Sequence, residues 1–253
     1  MLKNILASMT VATGVALVAA APASAGDSNG NFQIKAGVSG VLTDDKTTSL
    51  DINGVGTDLQ TNGHGATTEN IWIPTATLTY YFNKNLAVEL FCCFGGTSVL
   101  ANDITGGAFF GGANTELAHA TMFPPALTLQ YHVDGFGPLR PYVGAGVQWI
   151  HYFNEKVGDN GLGIVGAQSV NFKDSFGFVA QGGVDMDLGN GFSLGVDVKK
   201  VWLDTEINWK DGGGNTIATA KHDLDPLIVT ANIGYRFNLG DLFGRRAEPA
   251  PLK

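Results

Sequence analysis

The reactive side chains of this 253-residue sequence are few and scattered. Its histidines are His64, His119, His132, His151 and His222. A hydrolytic site needs one of them beside a nucleophile, with a carboxylate to orient the ring. No nucleophile elbow is expected here. His222-Asp223 with Asp225 imitates part of a catalytic or metal cluster, but it reads better as a polar loop leading into Pro226. Asp159-Asn160-Gly161 and the Asp211-Gly212-Gly213-Gly214-Asn215 run faintly resemble calcium loops. Neither has the spaced acidic ligands of an EF-hand, so both read as turns. Cys92 and Cys93 are adjacent, and neighbours on a strand point to opposite faces, so they are not expected to pair. No catalysis, metal or cofactor is expected.

A second set of residues is more informative. Lys35, Glu89, Asp185, Asp197, Lys199 and Arg236 each sit inside a stretch of alternating apolar and polar residues, on the polar face. Charges enclosed by apolar walls must pair. If that face points inward, these six are expected to form a salt-bridged plug.

The elements that would position them follow a period of two. In the stretch 32–42, Phe32, Ile34, Ala36, Val38 and Leu42 share one face, and Gln33, Lys35 and Ser39 the other. The same alternation recurs over 72–82, 86–94, 122–133, 141–153, 172–188, 192–207 and 226–237, giving eight predicted strands and no amphipathic helix. Their connections alternate in length. Asn83-Lys84-Asn85, 134–139 and Gly189-Asn190-Gly191 are short, whereas roughly 43–71, 98–121, 154–171 and 208–225 are long. This is the signature of an all-β, eight-stranded antiparallel up-and-down transmembrane β-barrel, trimmed at one rim and elaborated at the other. A soluble barrel with an apolar interior fits the alternation equally well. The aromatics favour the membrane. Trp72, Trp149, Trp202 and Trp209 fall beside the long loops, and Tyr80, Tyr81, Phe82, Tyr131, Phe192, Tyr235 and Phe237 beside the short turns, as two interfacial girdles would. Lys200 fits poorly, falling in register with the outward set; a bulge or a snorkelling side chain would explain it.

The first residues give the destination. Lys3, the apolar run from Val11 to Ala21 and Ala23-Ser24-Ala25 read as a signal peptide, residues 1–25. No later stretch has the roughly 18 apolar residues of a transmembrane helix. The net charge of −8, made more negative by loss of Lys3, argues against a nucleic-acid partner. The 35 glycines suit a β protein with tight turns and close backbone contacts.

Several segments resemble the OmpW family of outer-membrane proteins. They are Trp72-Ile73-Pro74, Pro124 to Tyr131, Arg140 to Gly146, Gly195 to Lys199, and the closing Gly234-Tyr235-Arg236-Phe237. The resemblance runs through essentially the whole of 26–237, the expected barrel. One departure is the segment 238–253, with Arg245-Arg246 and Pro249-Ala250-Pro251, which continues past the closing aromatic and is expected in the periplasm. The resemblance implies an outer-membrane location, reached through the signal peptide, with lipid as the surrounding partner. It also implies passive uptake of small hydrophobic molecules that leave sideways into the membrane. Apolar residues in the long loops and upper strands, Leu50, Ile52, Phe109, Phe110, Ile150 and Tyr152, are expected to wall a pocket above the plug. The alternative is a structural or adhesive surface barrel whose loops bind a partner or a phage.

Overall fold

The computed structural model describes residues 30–42, 46–52, 55–58, 66–68, 70–93, 95–101, 116–158 and 166–239. The expected signal peptide and most of the 238–253 segment lie outside them. The strands run in chain order β1 (Phe32–Leu42), β2 (Lys46–Ile52), β3 (Val55–Asp58), β4 (Ala66–Thr68), β5 (Ile71–Tyr81), β6 (Leu86–Cys93), β7 (Gly95–Ala101) and β8 (Glu116–Phe123). There follow β9 (Ala126–His132), β10 (Leu139–Val157), β11 (Ser169–Phe172), β12 (Ser175–Gly189), β13 (Phe192–Trp202), β14 (Asp204–Lys210), β15 (Thr216–Asp223) and β16 (Leu227–Phe237).

Eight of these close into an antiparallel up-and-down barrel in the order β1-β5-β6-β9-β10-β12-β13-β16, with β16 returning to pair with β1. Closure leaves no free edge in the barrel wall, which a membrane demands because every backbone N–H and C=O must be satisfied within the protein. The register places Gln33 opposite Arg236 and Lys35 opposite Gly234 across the closing seam. Three tight turns join strands at one rim. Asn190 and Gly191 both have positive φ, as a type I′ hairpin requires, and Asn83 accepts the amides of Asn85 and Leu86.

Burial decides between the two barrels that the alternation allowed. Gln33, Lys35, Ser39, Glu89, Thr128, Gln130, Gln181, Asp197 and Thr230 are buried, while Ile34, Val38, Leu129, Val143, Phe176 and Ile233 are at least half exposed. The wall is therefore apolar outside and polar inside, the arrangement of a membrane barrel. Near the short turns Phe192, Tyr235, Phe237, Phe32, Tyr80 and Phe82 touch ring to ring in one continuous belt. Near the long-loop rim Trp72, Phe176, Phe178 and Trp202 face outward.

Two aromatics differ from the expected girdles. Tyr81 points into the lumen, where its hydroxyl donates to Gln33 Oε1 at 2.7 Å. Trp209 is buried beyond the membrane rim, its indole N–H donating to the Leu117 carbonyl. Lys200 keeps the outward register without a bulge, and its ammonium reaches the Asp225 carbonyl at 2.5 Å at the upper rim.

The long connections differ most from expectation. Where they are described, they are largely strands that carry the barrel upward as a second tier. One side is a five-stranded sheet in the order β11-β14-β15-β2-β3. The other runs β4-β7-β8 onto the upper part of β10, whose residues 151–157 pair with β8. The chain breaks between tiers where it loses ladder donors or turns a corner, at Pro124-Pro125, at Leu203 and at Leu224-Asp225-Pro226. Leu117, Ala118, Val170, Phe172, Ile207, Trp209 and Ala218 fill the interior of this tier as an ordinary apolar core.

Candidate functional site

The lumen changes character along its length. At the short-turn end Arg236 donates from Nε to the Gly30 carbonyl at 2.8 Å and lies 3.8 Å from the centre of the Tyr81 ring. His132 sits between the Tyr81 and Tyr142 rings, with Nε2 3.1 Å from Gln130 Oε1.

The charges meet one level higher. Lys35 Nζ donates to both Asp185 oxygens, at 2.9 and 2.7 Å. Lys199 bridges Glu89, at 3.2 Å, and Asp197. Gln181 donates to Glu89 Oε1 and Asp197 Oδ2, and the Tyr142 hydroxyl donates to Asp197 at 3.0 Å. Glycines on facing strands give these side chains room. A Cβ on Gly183 would lie 2.5 Å from the Tyr142 ring, and one on Gly195 would lie 2.4 Å from Asp185 Oδ1. The structure thus brings together Lys35, Glu89, Asp185, Asp197 and Lys199, and sets Arg236 apart at the rim. A small polar cavity beside them is lined by Lys35, Thr77, Glu89, Asp197, Lys199 and Asn232.

Phe91 marks the change. Its ring is fully buried and receives the Lys199 ammonium 4.7 Å from its centre. It belongs to a row of paired positions, Phe91, Ala126, Gln148 and Gly177, that crosses four adjacent strands. Above that row the inward positions are mostly apolar, with the polar Thr205 and His222 among them. Val41, Ile73, Cys93, Ile150, Tyr152, Phe172, Ile207 and Ile228 line a cavity of about 660 Å³, its open mouth included. Pro124, Leu224 and Pro226, from the breaks between tiers, help to line it. Ile150 and Tyr152 thus stand in this wall. Leu50 and Ile52 are described only as backbone of β2, and Phe109 and Phe110 lie outside the described residues.

Most of the wall was not singled out beforehand. The signal was present: the inward parity that carries Lys35 and Ser39 continues to Val41, Thr75 leads back to Ile73, Glu89 leads on to Cys93, and Thr230 leads back to Ile228.

The remaining reactive residues do not converge. Ser98 Oγ lies 3.1 Å from His119 Nδ1 in the upper tier, His151 pairs with Asp174 on the outer wall, and His222 is buried in the cavity wall. His64 lies outside the described residues. Gly191-Phe192-Ser193-Leu194-Gly195 does carry the spacing of a nucleophile elbow, contrary to expectation. It forms a hairpin and the start of β13 rather than a strand–turn–helix, and Ser193 accepts from Gln33 Nε2 at 2.9 Å. Asp211 closes its own turn: the Asn215 side-chain amide, then the backbone amides of Asn215 and Gly213, donate to its carboxylate and hold it below the usual range. The two cysteines are unpaired; Cys93 faces the cavity and Cys92 the opposite side.

A closed eight-stranded wall, apolar outside, belted by aromatics and polar within, defines an integral β-barrel of the bacterial outer membrane. The comparisons agree, and they narrow the class: the OmpW family model matches residues 28–237, and the chain belongs to that family. Outer-membrane protein y4mB of Sinorhizobium fredii is 33% identical over 86% of this chain and 85% of its own length. Outer membrane protein W of Salmonella typhi is 32% identical over 64% of this chain and 71% of its own. Among solved structures, OprG of Pseudomonas aeruginosa superposes with a TM-score of 0.72 at 26% identity, covering 84% of this chain and 98% of OprG. AlkL in lipid bilayers gives 0.61 at 26% identity, covering 85% of this chain and 94% of AlkL.

Proposed function

We propose that this barrel admits small hydrophobic molecules passively across the outer membrane. The observation that carries the reading is the apolar cavity seated directly on a charged, tightly bonded layer. A solute that enters from the loop side gains roughly 25 cal/mol for each Å² of apolar surface removed from water, so entry needs no energy source. It cannot continue downward, because it would have to displace paired charges. The exit on this reading is sideways, at the upper ends of the strands. Among the described residues, pairing between β5 and β6 extends up to Thr75 and Cys93, and Pro74 beyond it has no N–H to offer. The Ile71 and Ile73 side chains cover this stretch, within 3.3 Å of where a Cβ on Gly95 would lie. The barrel acts here as a conduit and not as an enzyme. Lipid is its surrounding partner, small apolar solutes are its cargo, and the lumen charges serve as a plug.

The test is uptake of a small alkane into liposomes with and without the refolded protein. Faster uptake with protein is expected, and Phe109→Asp with Phe110→Asp should slow it while the barrel still assembles. Equal rates with and without protein would end the reading and leave adhesion through the loops as the better one.

A further inference from the structure

Among the described residues, one buried polar atom in the wall of the apolar cavity has no partner. Gln148 is 2% exposed and belongs to the row that floors the cavity. Its Nε2 donates to the Pro124 carbonyl at 3.3 Å. A carbonyl can only accept, so this bond fixes which end of the amide faces Pro124. It leaves Gln148 Oε1 buried, and among the described residues nothing donates to it. The other polar groups of the wall are engaged. Thr205 donates to the Lys173 carbonyl at 3.0 Å, and His222 has partners of its own.

A buried acceptor with no donor carries the desolvation cost of its lost water. A leucine or methionine could fill the same volume without that cost. An apolar solute carrying one hydroxyl could bond to this oxygen while its hydrocarbon part rests against Val41, Ile73, Ile150 and Ile228. A pure hydrocarbon of the same shape would leave the oxygen unmet. We infer that Gln148 is a specificity-determining residue that favours small apolar alcohols and phenols over isosteric hydrocarbons. The inference rests on the uptake reading and names the solute class within it.

The matched pair p-cresol and p-xylene tests this, because they differ by a hydroxyl in place of a methyl. Uptake of each into proteoliposomes is measured for the wild type and for Gln148→Met, after subtraction of protein-free vesicles, with assembly checked by gel mobility without boiling. One hydrogen bond between neutral groups corresponds to on the order of threefold to tenfold. The p-cresol to p-xylene ratio should fall by that factor in the variant, with p-xylene uptake unchanged or raised. In nanodiscs p-cresol should also shift the Gln148 side-chain amide resonance of the wild type, and p-xylene should leave it in place. An unchanged ratio in an assembled variant that still passes both solutes overturns the inference and leaves the uptake reading standing. If Gln148→Met fails to assemble, the nanodisc titration of the wild type decides: no shift with p-cresol overturns the inference. Absence of protein-dependent uptake of either solute by the wild type overturns both.

Discussion

The two tiers of this molecule obey opposite rules of burial. Within the membrane, β1, β5, β6, β9 and their partners turn Lys35, Glu89, Gln181 and Asp197 inward and Ile34, Val38, Leu129 and Val143 outward. In the upper tier Phe172, Ile207, Trp209 and Ala218 point inward, and Asp204, Lys221, Asn171 and Lys156 are exposed. The apolar surface faces the poorest solvent available to it, lipid below and the protein interior above. The change occurs inside single continuous strands, so an apolar cavity comes to rest against a layer of charge. Phe91 and Gln148 stand at that boundary. A barrel polar throughout would offer hydrocarbon no resting place, and one apolar throughout would have nothing to stop it moving farther down.

The following substitutions test this contrast, taken from the largest expected effect to the smallest. Lys35→Met leaves Asp185 buried without its cation and should cost about 3–5 kcal/mol in urea unfolding from vesicles. Adding Asp185→Leu should recover a large part of that cost; no recovery would mean that the pair does not act as a unit. Phe91→Ala removes the partition between the zones and should cost about 3 kcal/mol. Emission of a polarity-sensitive apolar dye bound above it should shift toward that seen in water, and unchanged emission would place the boundary elsewhere. Val41→Thr keeps the shape but places a hydroxyl in the apolar zone. It should cost about 1–2 kcal/mol by the same unfolding measurement, whereas Thr230→Val on the polar side of the boundary removes one of the two bonds of the Ser39 hydroxyl and leaves the one to Thr75.

The smallest effect belongs to the water-facing surface of the upper tier. The Lys173 ammonium, and after it the Asn208 amide, hold the Glu206 carboxyl below the usual range. A lowered folded-state pKa contributes stability above the ordinary carboxylate range, and that contribution is lost as pH falls through the lowered value. Glu206 is partly exposed, so Glu206→Gln should cost less than about 1 kcal/mol near neutral pH and nothing in acid. Hydrogen exchange of β14 and β15 at two pH values reads this directly. An effect that grows in acid would have the wrong sign.

The barrel was legible because alternation over ten or so residues fixes a face and a strand together. The stretch 32–42 coincides with β1, and the other seven predictions lie on the wall strands within a few residues or across a tier break. The second tier was not legible. Lys46–Ile52 and Thr216–Asp223 are short and mixed in composition, so they read like any polar loop. The lumen charges could be found from parity alone. That Arg236 stands apart from the other five could not, because its partner, the Gly30 carbonyl, comes from the segment just before β1. The cavity wall was readable from the same parity, but near the upper rim both faces turn apolar. Val41 beside Leu42, and Ile73 beside Trp72, therefore gave no contrast.

One strand, β10, runs unbroken through both tiers for 19 residues. At about 3.3 Å per residue it is about 60 Å long, and at a tilt near 40° it rises about 45 Å along the barrel axis. The apolar band that it crosses is only about 25 Å tall. The difference, about 20 Å, is a chimney standing clear of the hydrocarbon. On the proposed uptake route, a molecule that enters at its top and leaves through the wall below passes behind the headgroups of the outer leaflet and never between them. The height of one strand would thus turn the most forbidding layer of the envelope, for a greasy solute, into one that it has no need to enter.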